Sequence, residues 1–516
     1  MQVLPPDARI HIIGIGGSGL SAIARVLHGW GYLVTGSDQV RSPITDALLA
    51  EGIVVKIGHV PENLEPPVGA RGIQDCVVVI SSAVPEDNPE VIAARNQGLG
   101  ILKRRELLEA LTRDRMTLAV AGTHGKTTTT AMIAWILVEA GLDPSFVVGG
   151  VLQNLGSNAR AGHGRLLAIE ADEYDRAFLG LWPQVAVVTS LEHDHPDCYP
   201  TFHSMQAAFA EFAGQALENG RLIVCAEDPA AMDLVALQPH SAARHPSASP
   251  RPGAGAAPSA TIQTYGLRAG CTWQADNVQL QGCPTFDVRA EGRKLGACAL
   301  QLPGLHNVLN ALAAIAATSA ASVDFGTAAA ALTRFRGTAR RFEVKGHAGG
   351  VTVVDDYAHH PTAIRVTLAA ARSKYPGRTL WVVFQPHTFS RTAALLDDFA
   401  RSFGDADHVL VTGIYAARER DTGQISGAHI VARMQANGLV HPDAHYVESM
   451  DNAAAWLLER LEPRDVLITL GAGDGYRVGE CVLERLGGSE LPLSPSRSCP
   501  PADTAASGQE LLRRWP

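Results

Sequence analysis

Short apolar runs alternate along the chain with longer amphipathic stretches, a pattern typical of strands that alternate with helices. The first run, residues 10–13, enters a glycine-rich turn, and a helical stretch follows to about Gly29. Further strands are predicted at residues 33–38, 76–80 and 100–102. This order predicts a small, doubly wound parallel sheet that ends before about residue 113.

Two further blocks repeat the alternation. Strands are predicted at residues 118–120, 165–169 and 185–189 in the second block, and at 351–354, 380–384, 408–412 and 466–470 in the third. We therefore predict an α/β protein of three domains: Rossmann-like (1–113), a central P-loop ATPase with a mostly parallel sheet (114–334), and Rossmann-like again (335–487). Residues 240–261 and 488–516 are rich in Pro, Ser, Ala and Gly, which predicts a surface loop and a disordered tail.

Composition narrows the class of protein. The 516 residues fit about three domains, and the net charge of −9 disfavours nucleic acid as a partner. Apolar runs fall short of the roughly 18 residues that span a membrane, and the start lacks the pattern of a secretory signal. We expect a cytoplasmic protein without membrane insertion. The eight cysteines form no Cys-x-x-Cys pair, which favours reduced thiols.

The strongest chemical signal follows the strand at residues 118–120. Glycines there let backbone N–H groups face phosphate oxygens, Lys126 adds a charge, and Thr127 offers an oxygen to Mg²⁺ at a helix N-terminus. Val120 stands where the usual motif has its first glycine, so the loop is shorter than usual. The pattern predicts a site for ATP or GTP formed by Gly122, Thr123, His124, Gly125, Lys126, Thr127 and Thr128.

A second glycine motif lies in the first block. Gly14, Gly16 and Gly19 have the Gly-x-Gly-x-x-Gly spacing, and Asp38 ends the next strand. NAD-binding domains use this pattern because the glycines admit a pyrophosphate and the acid binds a ribose hydroxyl. The same geometry suits any nucleotide diphosphate, so a UDP-sugar is an equally good occupant.

Acidic residues follow two strands of the central block. Glu170 opens the segment 170–175 directly after one strand, and His195 closes the segment 192–195 after the next. The carboxyl ends of neighbouring parallel strands share one crevice with the phosphate loop. We therefore predict that Thr127, Glu170 and His195 bind Mg²⁺ near the γ-phosphate.

The motifs together resemble those of the Mur ligases of peptidoglycan synthesis, and most closely those members that add L-alanine. Matching segments occur in order at residues 14–18, 121–130, 170–175, 306–310, 340–343, 355–362 and 384–392. The resemblance spans residues 9 to about 480 and implies a UDP-sugar domain, an ATPase domain and an amino-acid domain. It implies that the lactoyl carboxylate of UDP-N-acetylmuramate takes the γ-phosphate of ATP as an acyl phosphate, which the amine of L-alanine then attacks.

The resemblance also implies roles for individual residues. The catalytic set is Lys126, Glu170, His195 and Arg341. Further ATP contacts are implied at His306, Asn307, Asn310, Asp356 and Tyr357, and amino-acid contacts at His359 and Arg391. The UDP-sugar contacts implied are Gly16, Gly17, Ser18, Gly19, Ser37, Asp38 and Ser82. Some members have a second arginine where Thr388 stands, which bears on how the carboxylate of alanine is bound.

Other activities remain open at this point. A murein tripeptide ligase acts on the same UDP-sugar, but it has a longer stretch after the acidic segment, whereas residues 176–181 run straight to the next strand. This favours addition of a single amino acid. An NAD-dependent dehydrogenase would not need the second glycine loop, and a nucleotide-dependent switch would not need the first. The sequence does not decide whether the protein is a monomer or a homodimer, or whether glycine or serine can replace alanine. It also does not identify the group that deprotonates the amine.

Overall fold

The computed structural model describes residues 4–5, 8–66, 76–81, 83–238, 261–417, 419–436 and 443–487. These residues form three mostly parallel sheets with helices between the strands, so the predicted three-domain α/β class is confirmed. Ser82, the predicted tail and nearly all of the predicted loop at 240–261 lie outside the described residues. Among the described helices, none is both long and apolar enough to cross a membrane.

The N-terminal domain has a five-stranded, fully parallel sheet of order β3-β2-β1-β4-β5. Its central strand is buried on both faces, as parallel strands covered by helices are. The elements are β1 Arg9–Ile13, α1 Ser18–Gly29, β2 Leu33–Asp38, α2 Pro43–Ala50, β3 Val54–Ile57, a 3-10 helix Pro61–Leu64, β4 Cys76–Ile80, α3 Pro89–Asn96, β5 Gly100–Lys103 and α4 Arg104–Thr112.

The central sheet has ten strands in the order β15-β14-β13-β12-β11-β10-β6-β9-β7-β8. The strand that leads into the phosphate loop, β6, lies between β9 and β10, and all three are parallel. The strands are β6 Met116–Ala121, β7 Ser145–Leu152, β8 Ser157–Arg160, β9 Leu166–Glu170, β10 Val185–Val188, β11 Arg221–Cys225, β12 Thr261–Gly266, β13 Trp273–Gln279, β14 Thr285–Ala290 and β15 Arg293–Ala299. The helices are α5 Lys126–Glu139, a 3-10 segment Tyr174–Gly180, α6 Phe202–Asn219, α7 Pro229–Leu237, α8 Leu305–Ser319 and α9 Phe325–Thr333.

The C-terminal sheet has six strands in the order β16-β17-β21-β18-β19-β20, and β16 alone is antiparallel to its neighbour. The strands are β16 Glu343–Ala348, β17 Val351–Asp356, β18 Leu380–Phe384, β19 His408–Val411, β20 Asp443–Tyr446 and β21 Val466–Leu470. The helices are α10 Pro361–Lys374, α11 Phe389–Ala394, α12 Leu396–Ala400, α13 Gly427–Ala436, α14 Met450–Leu458 and α15 Tyr476–Arg485.

The chain divides into two compact units. One comprises Met1–Ala275, Val288–Gly296 and Leu309–Leu332, and the other comprises Asp276–Asp287, Ala297–Val308 and Thr333–Pro516. The first unit contains both glycine loops, and the second contains the six-stranded sheet. The predicted domain limits at 113, 334 and 487 stay predictions.

Within the first unit, the N-terminal and central domains pack against each other through α1. Its side chains Ala22 and Val26 form one apolar cluster with Ala159 of β8. Just beyond the helix, the indole N–H of Trp30 donates to Ser145 Oγ at 3.1 Å, and the guanidinium of Arg115 lies 3.7 Å over the indole. The two domains therefore share buried surface at this helix.

The cysteines follow the expectation at all described positions but one. Cys283 is disulfide-bonded, so the expectation of reduced thiols is wrong there. Free thiols are present at Cys76, Cys198, Cys225, Cys271, Cys298 and Cys481.

Candidate active site

The phosphate loop joins β6 to α5, and two of its glycines are required by its backbone. Gly122 has a φ of +135°, and a Cβ there would lie 2.1 Å from Thr189 Oγ1. Gly125 is the N-cap of α5 in the left-handed conformation, with a φ of +82°. Only glycine adopts these conformations without strain. The N-terminus of α5, where Thr127 and Thr128 lie, is thereby left open to an anion.

Hydrogen bonds tie the loop to the segment that follows β10. The Thr123 N–H donates to the Ser190 carbonyl at 2.9 Å, and the Glu192 N–H donates to Thr123 Oγ1 at 2.8 Å. His124 Nε2 and Glu192 Oε2 are 2.9 Å apart. The predicted sharing of one sheet edge by the loop and segment 192–195 is therefore observed.

Lys126 is hydrogen-bonded to oxygens of the protein itself. Its ammonium donates to Glu173 Oε1 at 2.9 Å and to the carbonyls of Gly122 and Thr123. Burial opposes the positive charge, but Glu173 and Glu170 outweigh it and raise the pKa of Lys126 above its usual value. The lysine is therefore a fixed cation at the start of α5.

The predicted metal ligands surround the same helix end. Thr127 Oγ1 donates to Glu170 Oε1 at 3.0 Å, and the other oxygen of Glu170 accepts from the Gly149 N–H at 2.7 Å. His195 Nε2 lies 3.7 Å from Glu173 Oε1, and Glu173 in turn contacts Lys126. A hydroxyl, carboxylates and one imidazole form a donor set that Mg²⁺ accepts.

His195 has an unusual backbone. Its φ is +54°, which is rare for a residue other than glycine. The Asp194 carboxylate accepts from the His195 N–H at 2.8 Å, and the Tyr174 ring packs edge-on against the imidazole, 5.4 Å between centroids. Strained residues of this kind are found preferentially at functional sites.

Helix α8 brings Asn310 to the phosphate loop. Asn310 Oδ1 accepts from Thr129 Oγ1 at 3.2 Å, and a Cβ at Gly125 would lie 2.6 Å from the same oxygen. Asn307, one turn earlier, donates through its side chain to the Pro303 carbonyl at 2.8 Å. Asn310 thus supports the loop directly, and the contacts of both asparagines with adenine stay predictions.

The first glycine motif forms the turn between β1 and α1. Asp38 Oδ2 accepts from the Gly16 N–H at 2.8 Å, so the acid at the end of β2 fixes the loop. Gly17 is the N-cap of α1, and Ser18 and Gly19 are its first residues. The first turn of the helix contains no acidic residue. The side chain of Ser37 is buried and donates to Glu90 Oε2 at 2.9 Å. Its contact with a sugar nucleotide stays a prediction.

Arg104 lies between the N-terminal glycine motif and the acidic segment within the first unit. Its Nη1 donates to Asp172 Oδ2 at 2.7 Å, and its Nη2 would be 3.1 Å from a Cβ at Gly19. Burial disfavours the Asp172 charge, but Arg104 outweighs this and holds the pKa of that carboxyl below its usual value. One guanidinium therefore links the N-terminal glycine loop to the acidic segment beside Lys126.

In the second unit, Arg341 lies over the ring of Tyr357, 5.0 Å from its centroid. Asp356 Oδ2 accepts from the Phe342 N–H at 2.7 Å, which fixes the turn after Arg341. Burial raises the pKa of Asp356, and Arg341 opposes that rise. Burial, helped by the Arg341 charge, lowers the pKa of His306 to about 4, so this imidazole is neutral at pH 7. Three predicted ATP contacts, His306, Asp356 and Tyr357, thus lie around one arginine.

The predicted amino-acid residues are connected through a histidine. His387 Nδ1 is 3.3 Å from Arg391 Nη1, and its ring lies 5.8 Å from that of His359. Thr388 is the N-cap of α11, and its φ of +63° with a ψ of 146° is a backbone conformation that a β-branched residue rarely adopts. Tyr415 stacks on His387 with 5.7 Å between ring centroids.

Three residues of the site were not singled out from the sequence. Glu173 lies within the predicted acidic segment, and His387 lies within the predicted amino-acid segment, so the motifs contained both. Arg104 belongs to no motif. Only the fold reveals that it faces Asp172.

Three family profiles match most of the chain. Residues 9–116 match the family profile described as Mur ligase family, catalytic domain, residues 120–318 match the Mur ligase middle domain, and residues 340–473 match the Mur ligase, glutamate ligase domain. The three matches follow the order of the three sheets.

Individual proteins agree with these profiles. A UDP-N-acetylmuramate–L-alanine ligase of Salinibacter ruber is 41% identical over 93% of this chain and 95% of its own. The crystal structure of a UDP-N-acetylmuramate-alanine ligase from Thermotoga maritima is similar with a TM-score of 0.73 and 28% identity, over 93% of this chain and 99% of its own. A murein peptide ligase from Psychrobacter arcticus has a TM-score of 0.65 and 27% identity, over 94% and 100%. The resemblance expected from the sequence is confirmed, and the chain belongs to the Mur ligase family.

Proposed function

We propose that this protein is an ATP-dependent ligase that joins L-alanine to the lactoyl carboxylate of UDP-N-acetylmuramate in peptidoglycan precursor synthesis. The carboxylate attacks the γ-phosphate of ATP and gives an acyl phosphate and ADP. The amine of alanine then attacks the acyl carbon and releases phosphate. A cytoplasmic location agrees with the need for ATP.

The Arg104–Asp172 ion pair is the observation that most supports two nucleotide sites. It connects the N-terminal glycine loop with the acidic segment that contacts Lys126, all within one unit. A sugar nucleotide on the first loop and a triphosphate on the second would be neighbours. A dehydrogenase would use only the first loop, and a nucleotide switch would use only the second.

The chemistry requires cations because both reactants are anions. Two unit charges 4 Å apart repel by about 4 kcal/mol at an effective dielectric constant near 20. Lys126 supplies one positive charge at the start of α5. Mg²⁺, which Thr127, Glu170 and His195 would hold, would supply further charge at the phosphate oxygens. Arg341 is proposed to contact phosphate, with Asp356 holding the turn that positions it.

The remaining assignments follow the same logic. Gly16, Gly17, Ser18 and Gly19 are proposed to bind the diphosphate of the UDP-sugar through backbone N–H groups. Arg391 is proposed to bind the carboxylate of alanine, since a guanidinium offers two parallel donors. The histidine pair His359 and His387 lies beside it.

A murein tripeptide ligase is the second candidate, favoured by the similarity to a murein peptide ligase structure. Against it, the 3-10 segment Tyr174–Gly180 is followed after four residues by β10, so no additional element lies between them. Single-amino-acid addition is therefore the better-supported activity.

Phosphate release measured with defined substrates tests the proposal. We expect release only when ATP, Mg²⁺, UDP-N-acetylmuramate and L-alanine are all present. Greater activity with the tripeptide than with L-alanine would favour the second candidate. Release that ignores the sugar nucleotide would indicate a switch.

A further inference from the structure

The hydrogen-bonding capacity of Lys126 is fully used by the protein. An ammonium has three donors, and here they go to the carbonyls of Gly122 and Thr123 and to Glu173 Oε1. A phosphate oxygen that binds Lys126 must displace at least one of these acceptors. Glu173 is the only one of the three that carries a charge, so it is the strongest competitor.

Glu173 lies between two predicted site residues. Its side chain is only 1% exposed, and Oε1 is 2.9 Å from Lys126 Nζ and 3.7 Å from His195 Nε2. Its second oxygen, Oε2, is buried and has no hydrogen-bond partner among the described residues. A buried carboxylate oxygen without a donor is costly. The carboxylate is therefore placed for more contacts than it makes here.

We propose that Glu173 is a positioning residue that exchanges partners when nucleotide binds. Without nucleotide it holds Lys126. When the triphosphate takes the lysine, the carboxylate accepts a hydrogen bond from the His195 ring and orients that imidazole toward the metal. Histidines that bind metals commonly donate their other ring N–H to a carboxylate in this way. The proposal rests on the proposed function of the loop as a nucleotide site.

A permanent structural ion pair would behave differently. If Glu173 only stabilised the fold, its removal would weaken nucleotide binding or leave it unchanged. If Glu173 competes with phosphate for Lys126, its removal strengthens nucleotide binding in the absence of metal. The sign of the change therefore separates the two roles.

Calorimetry with adenylyl imidodiphosphate in EDTA measures this sign. We expect Glu173→Gln to bind the analogue three- to tenfold more tightly than the wild type. Asp172→Asn is the matched control, because it removes a neighbouring carboxylate that bonds Arg104 and not Lys126. It should change the affinity less than twofold. Equal gains in the two variants would overturn the exchange, since charge removal alone would then explain both.

Metal affinity is the second readout. With the analogue bound, titration of Mn²⁺ followed by electron paramagnetic resonance should show at least tenfold weaker binding in Glu173→Gln, because a neutral amide oxygen is a weaker acceptor for the His195 ring than a carboxylate. Unchanged Mn²⁺ affinity would overturn the proposal. If circular dichroism shows that Glu173→Gln does not fold, Glu173→Asp replaces it. Its shorter side chain should weaken the contacts with Lys126 and His195. The analogue should then bind more tightly and Mn²⁺ more weakly, as expected for Glu173→Gln.

Failure of the proposed function gives a distinct result. Wild-type protein would then not bind the analogue either with or without metal. Failure of the exchange alone leaves wild-type binding intact and the affinity of Glu173→Gln for the analogue unchanged or lower.

Discussion

Single backbone torsions decide the shape of the phosphate loop. Gly122 combines a positive φ with a close approach to Thr189, whereas Gly141, just after α5, has a φ of +71° with nothing within 4 Å of a Cβ. Both glycines have a positive φ, but they differ in the space available for a Cβ. Comparing them isolates the effect of crowding at the loop.

We expect Gly122→Ala to lower the affinity for a non-hydrolysable ATP analogue at least about tenfold. The new methyl group must displace Thr189, and strain of this kind costs on the order of 1–3 kcal/mol. Gly141→Ala should cost about 1–2 kcal/mol in unfolding free energy and leave nucleotide affinity as in the wild type. Calorimetry and urea unfolding measure the two quantities. Equal affinities in both variants would show that the loop tolerates a side chain at Gly122.

Motifs identify residues by type and spacing, and this sets what the sequence could predict of the site. Lys126, Glu170 and His195 were predicted because their spacing after strands is recognisable, and the structure places all three around the start of α5. The ion pair of Lys126 with Glu173 was not predicted, because several acids of the same segment were equally plausible partners.

At the scale of elements, helix α4 provides the arginine that lies between the N-terminal glycine motif and the acidic segment. Its first residue, Arg104, pairs with Asp172, two residues after β9, and its second residue, Arg105, lies 3.7 Å from Glu211 on α6. Both pairs are partly exposed. The Arg105 pair is the longer and the more exposed of the two.

We expect Arg104→Ala to lower the free energy of unfolding by about 1 kcal/mol at pH 7, as partly exposed ion pairs do. Because the pKa of Asp172 is depressed in the folded state, this stabilisation is present above the unfolded pKa of about 3.9. It is lost as the pH falls through the lower, folded value. Urea unfolding from pH 7 to pH 3 should show the difference between wild type and variant shrinking below about pH 4.

Arg105→Ala is the control on the same helix. We expect a smaller loss, because its pair is half exposed and 3.7 Å long. A difference between wild type and Arg104→Ala that stays constant down to pH 3 would contradict the role of the Asp172 charge.

Several strands with apolar runs were predicted, but the buried apolar strand β11 was missed, as were most amphipathic strands. The predicted strands 33–38, 76–80, 380–384 and 466–470 agree with β2, β4, β18 and β21 residue for residue. Strand β3 was missed because it is a short edge strand with an exposed lysine and isoleucine. The strands β13 to β15 were missed because their polar faces interrupt the hydrophobic pattern.

At the scale of the molecule, two separate ligand sites mean that each ligand should stabilise the folded protein independently of the other. A ligand at one hundred times its Kd raises the free energy of unfolding by about 2.7 kcal/mol. We expect UDP-N-acetylmuramate and an ATP analogue each to stabilise the wild type. Lys126→Ala should keep the increase with the sugar nucleotide, lose most of that with the ATP analogue, and lower phosphate release at least about 100-fold.

Lys345→Ala is the control for this variant, since Lys345 pairs with Glu480 in the C-terminal domain, 3.2 Å away. It should keep both increments. Loss of both increments in Lys126→Ala would contradict two separate sites.

The packing of α1 on the central domain bears on any attempt to dissect the protein. Ala22 and Val26 bury their side chains against Ala159, and Trp30 is covered by Arg115. A fragment truncated after residue 113 would expose the apolar face of α1 and the Trp30 indole to solvent. Exposed apolar patches of this kind promote self-association. The sheet topology therefore changes near residue 113. The smallest fragment expected to fold without aggregating also includes the central sheet.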